Sequence, residues 1–265
     1  LVLTTAERLY RFDTHGDPLP GFSLALPHRA SYSATVYEKE GDVRLFVPAG
    51  DRILAYNATG ESLPHWEDKP LTGNILYGMQ QATLQDVHYV IAATDAGRIY
   101  FFNYNGQLVH LAEDRDEQGF GNPIALQTSP TNAEESRVIT TDTSGTIKSF
   151  FFGRDQRPKN VGNWSARHYF DAVNITGDSI PELVFADRGE LAVYDNATGK
   201  LVYHYDFGQE ILRPLFFYNT SGKYAIGVAT SGNQLLYVFR EDGTLAPGFP
   251  TEGLPPFYYG KLETG

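Results

Sequence analysis

A β-propeller, an all-β fold of small antiparallel sheets repeated radially, is the fold class that the sequence predicts, and three observations carry it. Alternating bulky residues followed by a polar turn and a closing glycine recur at Gly16, Gly60, Gly106, Gly153, Gly199 and Gly243, spaced 44, 46, 47, 46 and 44 residues apart. Each copy follows an apolar segment of small residues that ends in a turn, usually with Gly, which is the pattern of a hairpin. No segment holds a 3.6-residue apolar stripe over three turns, so helices are expected to be nearly absent. Four strands in about 45 residues describe a propeller blade. A sandwich of this length would lack the fixed period, and a β-helix has much shorter coils.

The elements follow in order within each repeat. An apolar piece opens it: Ala30 to Tyr37, Ile75 to Met79, Pro123 to Gln127, His168 to Val173 and Pro214 to Tyr218. The small-residue strand and its turn come next: Leu45 to Gly50, Val90 to Gly97, Val138 to Gly145, Leu183 to Gly189 and Ala225 to Gly232. The aromatic strand follows, with its fixed aromatic at Phe12, Tyr56, Phe102, Phe150, Tyr194 and Phe239, positions expected to pack blade against blade. A short fourth strand, such as Lys200 to Tyr205, completes a four-stranded meander. The first copy, Leu1 to Phe12, is a hairpin without an innermost strand, and Pro256 to Glu263 reads as an innermost strand without a hairpin. Pairing of the two ends in one blade gives six blades in a single domain over residues 1–265 and removes an exposed sheet edge.

Composition narrows the classes of function. The 265 residues carry 21 Lys and Arg against 32 Asp and Glu, a net charge of 21 − 32 = −11, and no Cys. A chain of this length buries a large core. Apolar runs such as Tyr89 to Ala93 are far short of the ~20 residues of a membrane-spanning helix. An acidic chain without a Lys/Arg cluster lacks the footprint of a nucleic-acid binder. Without Cys there is no disulfide scaffold, Cys-ligated metal or thiol nucleophile. Five Asn-x-Ser/Thr sequons, at Asn57, Asn163, Asn174, Asn196 and Asn219, are read as turn chemistry, because Asn and Gly tolerate positive φ.

The blades of the form hydrophobic-hydrophobic-Ala/Thr-Thr/Asp-x-x-Gly-x-Leu-Tyr-x-Phe-Asp/Asn-x-x-Gly resemble those of PQQ-like (quinoprotein-like) propellers of bacterial envelopes. The trailing segments Leu19-Pro-Gly-Phe22, Leu63-Pro-His-Trp66 and Ala246-Pro-Gly-Phe-Pro250 are similar to FG-GAP/VCBS-type propellers of secreted and surface proteins. The resemblance spans the chain at the level of fold, and it implies an extracytoplasmic place: periplasmic, cell-surface or secreted. Quinoprotein dehydrogenases combine PQQ, calcium, a catalytic Asp and a vicinal disulfide in larger rings with Trp-docked blades. This chain has no Cys and only Trp66 and Trp164, so PQQ is not expected and the noncatalytic relatives are the closer comparison.

The strongest local constellation runs from Asp171 to Glu182. It resembles the loop by which FG-GAP repeats hold calcium, with Asn174, Thr176, Asp178 and Glu182 at ligand positions 1, 3, 5 and 9; oxygen donors at that spacing suit a hard cation. Against this, only two of the four are carboxylates and Ser179 stands where Gly is wanted, so a polar turn is the competing reading. The seven histidines show no metal-binding spacing, and no nucleophile elbow or phosphate loop occurs. Glu113 to Glu117 is read as a solvated charge run and Gln118 to Asn122 as a loop. Aromatics outside the register, Trp66, Phe120, Trp164, Tyr258 and Tyr259, are candidates for a recognition face, although each taken singly reads more readily as packing.

The function expected is a noncatalytic propeller that binds or scaffolds another protein in a bacterial envelope or secreted assembly, with Asp171, Asn174 and Arg213 as loop contacts. The alternative is a metal-dependent hydrolase of the six-bladed lactonase kind, with Asp171 and Asn174 at a central site. A carbohydrate-binding propeller would show one exposed aromatic platform per blade, and these aromatics are too irregular for that. Neither nucleic acid nor a membrane span is expected, calcium is the one cofactor in view, and oligomeric state is left open.

Overall fold

In the computed structural model, residues 1–39, 41–66, 70–114, 119–129, 135–152, 160–178, 180–220 and 223–253 are described, apart from the side chains of 39, 213–220 and 223. Their strands form six antiparallel sheets, each a meander of strands consecutive in the chain. The first holds β1 (Val2–Thr4), β2 (Arg8–Arg11) and β3 (Leu24–Ala25); the second β4 (Thr35–Lys39), β5 (Asp42–Ala49) and β6 (Arg52–Asn57). The third holds β7 (Ile75–Leu84), β8 (Val87–Thr94), β9 (Arg98–Asn103) and β10 (Leu108–Glu113); the fourth β11 (Ala125–Gln127), β12 (Arg137–Thr141) and β13 (Ile147–Phe151). The fifth holds β14 (Tyr169–Val173), β15 (Glu182–Asp187), β16 (Glu190–Tyr194) and β17 (Leu201–Asp206). The sixth holds β18 (Ile211–Thr220), β19 (Lys223–Thr230), β20 (Leu235–Phe239) and β21 (Thr251–Glu252). No α-helix occurs among the described residues, and none of the segments is a helix long and apolar enough to cross a membrane.

The chain divides into two compact units. One comprises Leu1–Asp142 with Ser149–Arg157, the other Thr143–Lys148 with Pro158–Gly265. Within the first, the period-2 alternation of each strand feeds two cores at once. In β8, Val90 and Ala92 face one cluster with Phe46, Ile53 and Trp66, while Ile91 and Ala93 face another with Phe120, Ile124 and Val138. β9 divides likewise, with Tyr100 and Phe102 on one side and Ile99 and Phe101 on the other. A strand apolar on both faces reads as a continuous hydrophobic run, and here it results from sheet stacked on sheet. The alanines of β8 let the sheets approach, and the aromatics of β9 fill the gap farther along. In the second unit one cluster joins Val184, Ala186, Leu191 and Val193 of the fifth sheet to Ile226, Val228, Tyr237 and Phe239 of the sixth.

Among the described residues, turns after the aromatic strands are closed by a side-chain oxygen. Asp13 Oδ1 accepts from the N–H groups of His15 and Asp17, Asn57 Oδ1 from Thr59 and Glu61, and Asn103 Oδ1 from Asn105 and Gln107, all within 3.0 Å. Asp242 repeats this toward the hydroxyl and N–H of Thr244, bonds that hold its carboxyl below the usual range. The Asn57 amide nitrogen donates to Glu61 at 2.7 Å, so this sequon side chain is used on both sides by the turn.

Gly153 lies outside the described residues; the other five closing glycines lie at positive φ, but not all for the same reason. Around Gly16 (φ +90°) the space where a side chain would go is open. At Gly243 (φ +79°) a Cβ would stand 2.8 Å from the Tyr203 Cβ. Gly16→Ala is expected to cost about 1 kcal/mol for left-handed backbone. Gly243→Ala should cost about 2 to 3 kcal/mol, because overpacking against Tyr203 is added. Urea unfolding of the two variants side by side checks this, and equal losses would show that the close approach is not felt.

Two details depart from the expectation of four strands in every repeat. The first, second and fourth sheets have three strands among the described residues. After β6 the chain makes one bridge, Tyr56 to Ser62, flanked by two bonds, Asn57 N–H to the Glu61 carbonyl and Leu63 N–H to the Ala55 carbonyl, before Pro64 removes the next donor. Trp66 and Phe120, at 5% and 7% exposure, are core residues, which agrees with the packing reading of each and removes them from a recognition face. The readings placed on Pro256 to Glu263, on Tyr258 and Tyr259, and on Arg115 to Gln118 lie outside the described residues.

Candidate functional site

Two places gather polar side chains. The first is the turn between β14 and β15. Glu182, buried at the start of β15, receives the Ile175 N–H at 2.6 Å, the Thr176 hydroxyl at 2.8 Å and the Thr176 N–H at 3.3 Å. Asn174 Oδ1 accepts from Gly177 N–H at 2.8 Å and Asp178 Oδ1 from Ile180 N–H at 2.9 Å. The structure thus brings Asn174, Thr176, Asp178 and Glu182 into one turn. Their oxygens face the turn's own donors, and Ile175 is driven into the core between them. Among the described residues no three His, Cys, Asp or Glu side chains are placed to share a metal ion.

Asp171 lies on β14, opposite Val184. Its carboxylate accepts from the Tyr169 hydroxyl at 3.2 Å and from the Ala172 N–H at 2.8 Å. Burial pushes its pKa above the ordinary 3.8, outweighing these two bonds. A carboxyl with a raised folded-state pKa binds its proton more tightly in the native chain, so native stability falls as pH rises from 3.8 through the folded value. Asp171→Asn keeps both hydrogen bonds within reach and removes the buried charge. It is expected to raise the melting midpoint at pH 7, with the gain shrinking as pH falls through the raised folded value toward 3.8. A lower midpoint at pH 7 would show that the charge itself is needed. Arg213 lies in β18 where the pairing shifts register between Leu212 and Phe216.

The second place was not legible in the sequence. A cavity of about 550 Å³ opens in the second unit between the β15–β16 turn and the β17–β18 connection, lined by Trp164, Arg188, Glu190, Asp206, Gln209 and Glu210 among others. Backbone bonds fix its walls: Phe207 N–H donates to Gly189 at 2.8 Å and Ile211 N–H to Arg188 at 2.7 Å. Gln209 Oε1 takes the Asn233 N–H, and the Glu210 carbonyl takes that of Ser231. Asp187, at the end of β15, accepts both the N–H and the hydroxyl of Ser165 at 2.6 Å and so ties the preceding loop to this wall. Trp164 stacks on Phe185, with centroids 4.6 Å apart.

The turn itself is tight. Gly189 is required because a Cβ there would stand 2.8 Å from the Gln209 carbonyl oxygen. Arg188 occupies φ +55°, a conformation that favours glycine, and its exposed guanidinium has no ion pair among the described residues. Glu190 lies 3.7 Å from His204 Nε2, and Asp206 Oδ1 accepts from Gly208 N–H. Glu210 is exposed and its carboxylate has no partner among the described residues.

No protein-family model matches the chain, and no curated protein does. Solved structures do. A chain in the crystal structure of BBS1N in complex with ARL6DN, soaked with mercury, aligns with a TM-score of 0.60 at 15% identity, covering 86% of this chain and 71% of that one. The lead-soaked form of the same complex gives 0.55 at 15% identity, over 87% and 71%. A chain in the crystal structure of the mitotic checkpoint complex gives 0.59 at 10% identity, over 94% and 74%. Likeness of this kind concerns the fold, and the fold is β-propeller-like.

Proposed function

We propose that the chain is a noncatalytic propeller module that binds another protein, its six sheets serving as six blades and its two terminal strands pairing in one of them. The observation that carries this reading is the set of structures it resembles. BBS1N is held with ARL6DN, and the other chain is part of the mitotic checkpoint complex. Support comes from the molecule as well. The loops at the turn ends are fixed by backbone bonds and by Asp clamps such as Asp187 to Ser165 and Asp95 to the N–H of Asn74, a rigid platform suited to recognition. Placement in a bacterial envelope or secreted assembly is part of the proposal and follows from the PQQ-like and FG-GAP-like form of the repeats.

The test is capture. The purified full chain, immobilised, is exposed to extract of its source, and retained proteins are identified with free chain as competitor. A protein that is competed off and then rebinds as a purified pair supports the reading. If nothing is retained specifically, and the chain instead turns over ester or lactone substrates, the reading falls.

A further inference from the structure

We propose that the cavity between the β15–β16 turn and the β17–β18 connection is the seat of a basic segment of the protein partner, taking a Lys or Arg side chain. This rests on the reading of the chain as a protein-binding module and gives that reading a place and a chemistry. The primary observation is the concavity. About 550 Å³ is enough to enclose a long side chain and part of its backbone, and the walls are set before any partner arrives. The Arg188 and Gly189 carbonyls are held by Ile211 and Phe207, Gln209 is held by Asn233, and Trp164 is braced on Phe185. A preformed wall spares the ordering cost of binding.

Charge then selects the occupant. Of the acidic groups lining the cavity, Asp187 is spent on Ser165, whereas Glu190, Asp206 and Glu210 are exposed. Glu210 has no partner among the described residues. Asp206 uses only one oxygen, and Glu190 meets a histidine that is charged only when protonated. Arg188 is the one opposing charge on the lining. Three carboxylates against one guanidinium, in a chain of net charge −11, attract a cation and repel an acidic segment. Arg188, at the lip, is placed to meet a carbonyl or carboxylate flanking the basic residue. An apolar segment would leave these carboxylates without a counter-charge.

The experiment is amide NMR of the full chain titrated with an acetylated, amidated Gly-Lys-Arg-Lys-Gly peptide, and with Gly-Glu-Asp-Glu-Gly as its counterpart. Expected are saturable shifts of Gly189, Gly208 and the Trp164 indole with the basic peptide only. Affinity should fall by more than about tenfold between roughly 50 and 300 mM salt. The combined Glu190→Gln, Asp206→Asn, Glu210→Gln variant should lose the shifts, and so should Glu210→Lys, an exposed single change that keeps the fold intact. Shifts scattered over the surface and retained in both variants would show that overall charge alone attracts the peptide, and the proposal falls. No shifts, or equal shifts with the acidic peptide, also overturn it. The two readings separate in the capture experiment. A partner bound equally well by both variants removes the cavity proposal and leaves protein binding standing, whereas no specific partner for any form removes protein binding itself.

Discussion

Trp66→Ala is expected to lower stability by about 4 kcal/mol, the largest loss of any single substitution considered for this chain. The indole sits 4.9 Å from the Phe46 ring and 5.4 Å from Phe102, and it bridges the second and third sheets. It also covers Gly106, where a Cβ would stand 3.0 Å from its Nε1. Truncation therefore removes apolar burial, opens a void between two sheets and uncovers a turn. In a chain of this size the melting midpoint should fall by about 10 °C. Trp66→Phe should cost far less, because Nε1 is buried without a hydrogen-bond partner among the described residues and its removal relieves an unsatisfied donor. Gly106 supplies an internal control. Gly106→Ala in the native background meets positive φ, the indole and the His65 carbonyl oxygen at 3.1 Å, whereas in the Trp66→Ala background the indole is gone and the loss should be smaller. Urea unfolding of the four proteins gives the cycle. A loss under about 1 kcal/mol for Trp66→Ala would place the indole outside the core.

Trp66 also shows where the sequence stopped being informative. The strands themselves were legible because a period of two, a small-residue strand and a Gly turn are local signals, and they recur often enough to be compared copy by copy. Asn57, Asn103 and Asp13 could be assigned to turns for the same reason: each oxygen bonds N–H groups within four residues. Trp66 and Phe120 fall outside the strand register, and sequence alone favoured packing for each without saying what they pack against. What buries them is the face of a neighbouring sheet, a contact that no local pattern encodes.

The cavity was hidden more deeply. Its walls, Arg188-Gly189 and Phe207 to Glu210, meet through backbone bonds whose partners carry no side-chain signature. One trace was present in the chain. Ala186 and Leu191 pair across a span one residue shorter than Ala93 and Ile99, so the turn is tight, and an arginine stands where such a turn favours Gly or Asn. The candidate loop at Asn174 to Glu182 was legible in its spacing but not in its bonding, because the direction in which an oxygen points is set by which N–H groups the turn leaves open.

That direction makes Glu182→Ala the second large effect, about 3 to 4 kcal/mol. The carboxylate accepts from Ile175 N–H, Thr176 N–H and the Thr176 hydroxyl, and both Glu182 and Ile175 are buried. Removing it leaves two backbone donors without partners, each costing about 1 to 3 kcal/mol where water cannot replace the acceptor. It also frees Ile175 from its place against Val184 and Phe239. Glu182→Gln retains one carbonyl oxygen and should lose less than half as much. Tyr203 offers a local reporter: burial first, then the charges of Glu182 and Asp242, hold its phenol well above the usual value. Glu182→Gln should therefore lower the Tyr203 titration in part while the fold persists, with burial still holding it above the ordinary range. The same melts in EDTA and in millimolar Ca²⁺ decide between the two readings of the loop. A midpoint raised by calcium alone, and lost in Asp178→Asn, would assign it as a cation site whose oxygens turn outward on binding. Superimposable curves are expected, because an ion that recruits Glu182 must first strip the acceptor from Ile175 and Thr176, and the turn would lose the bonds that close it.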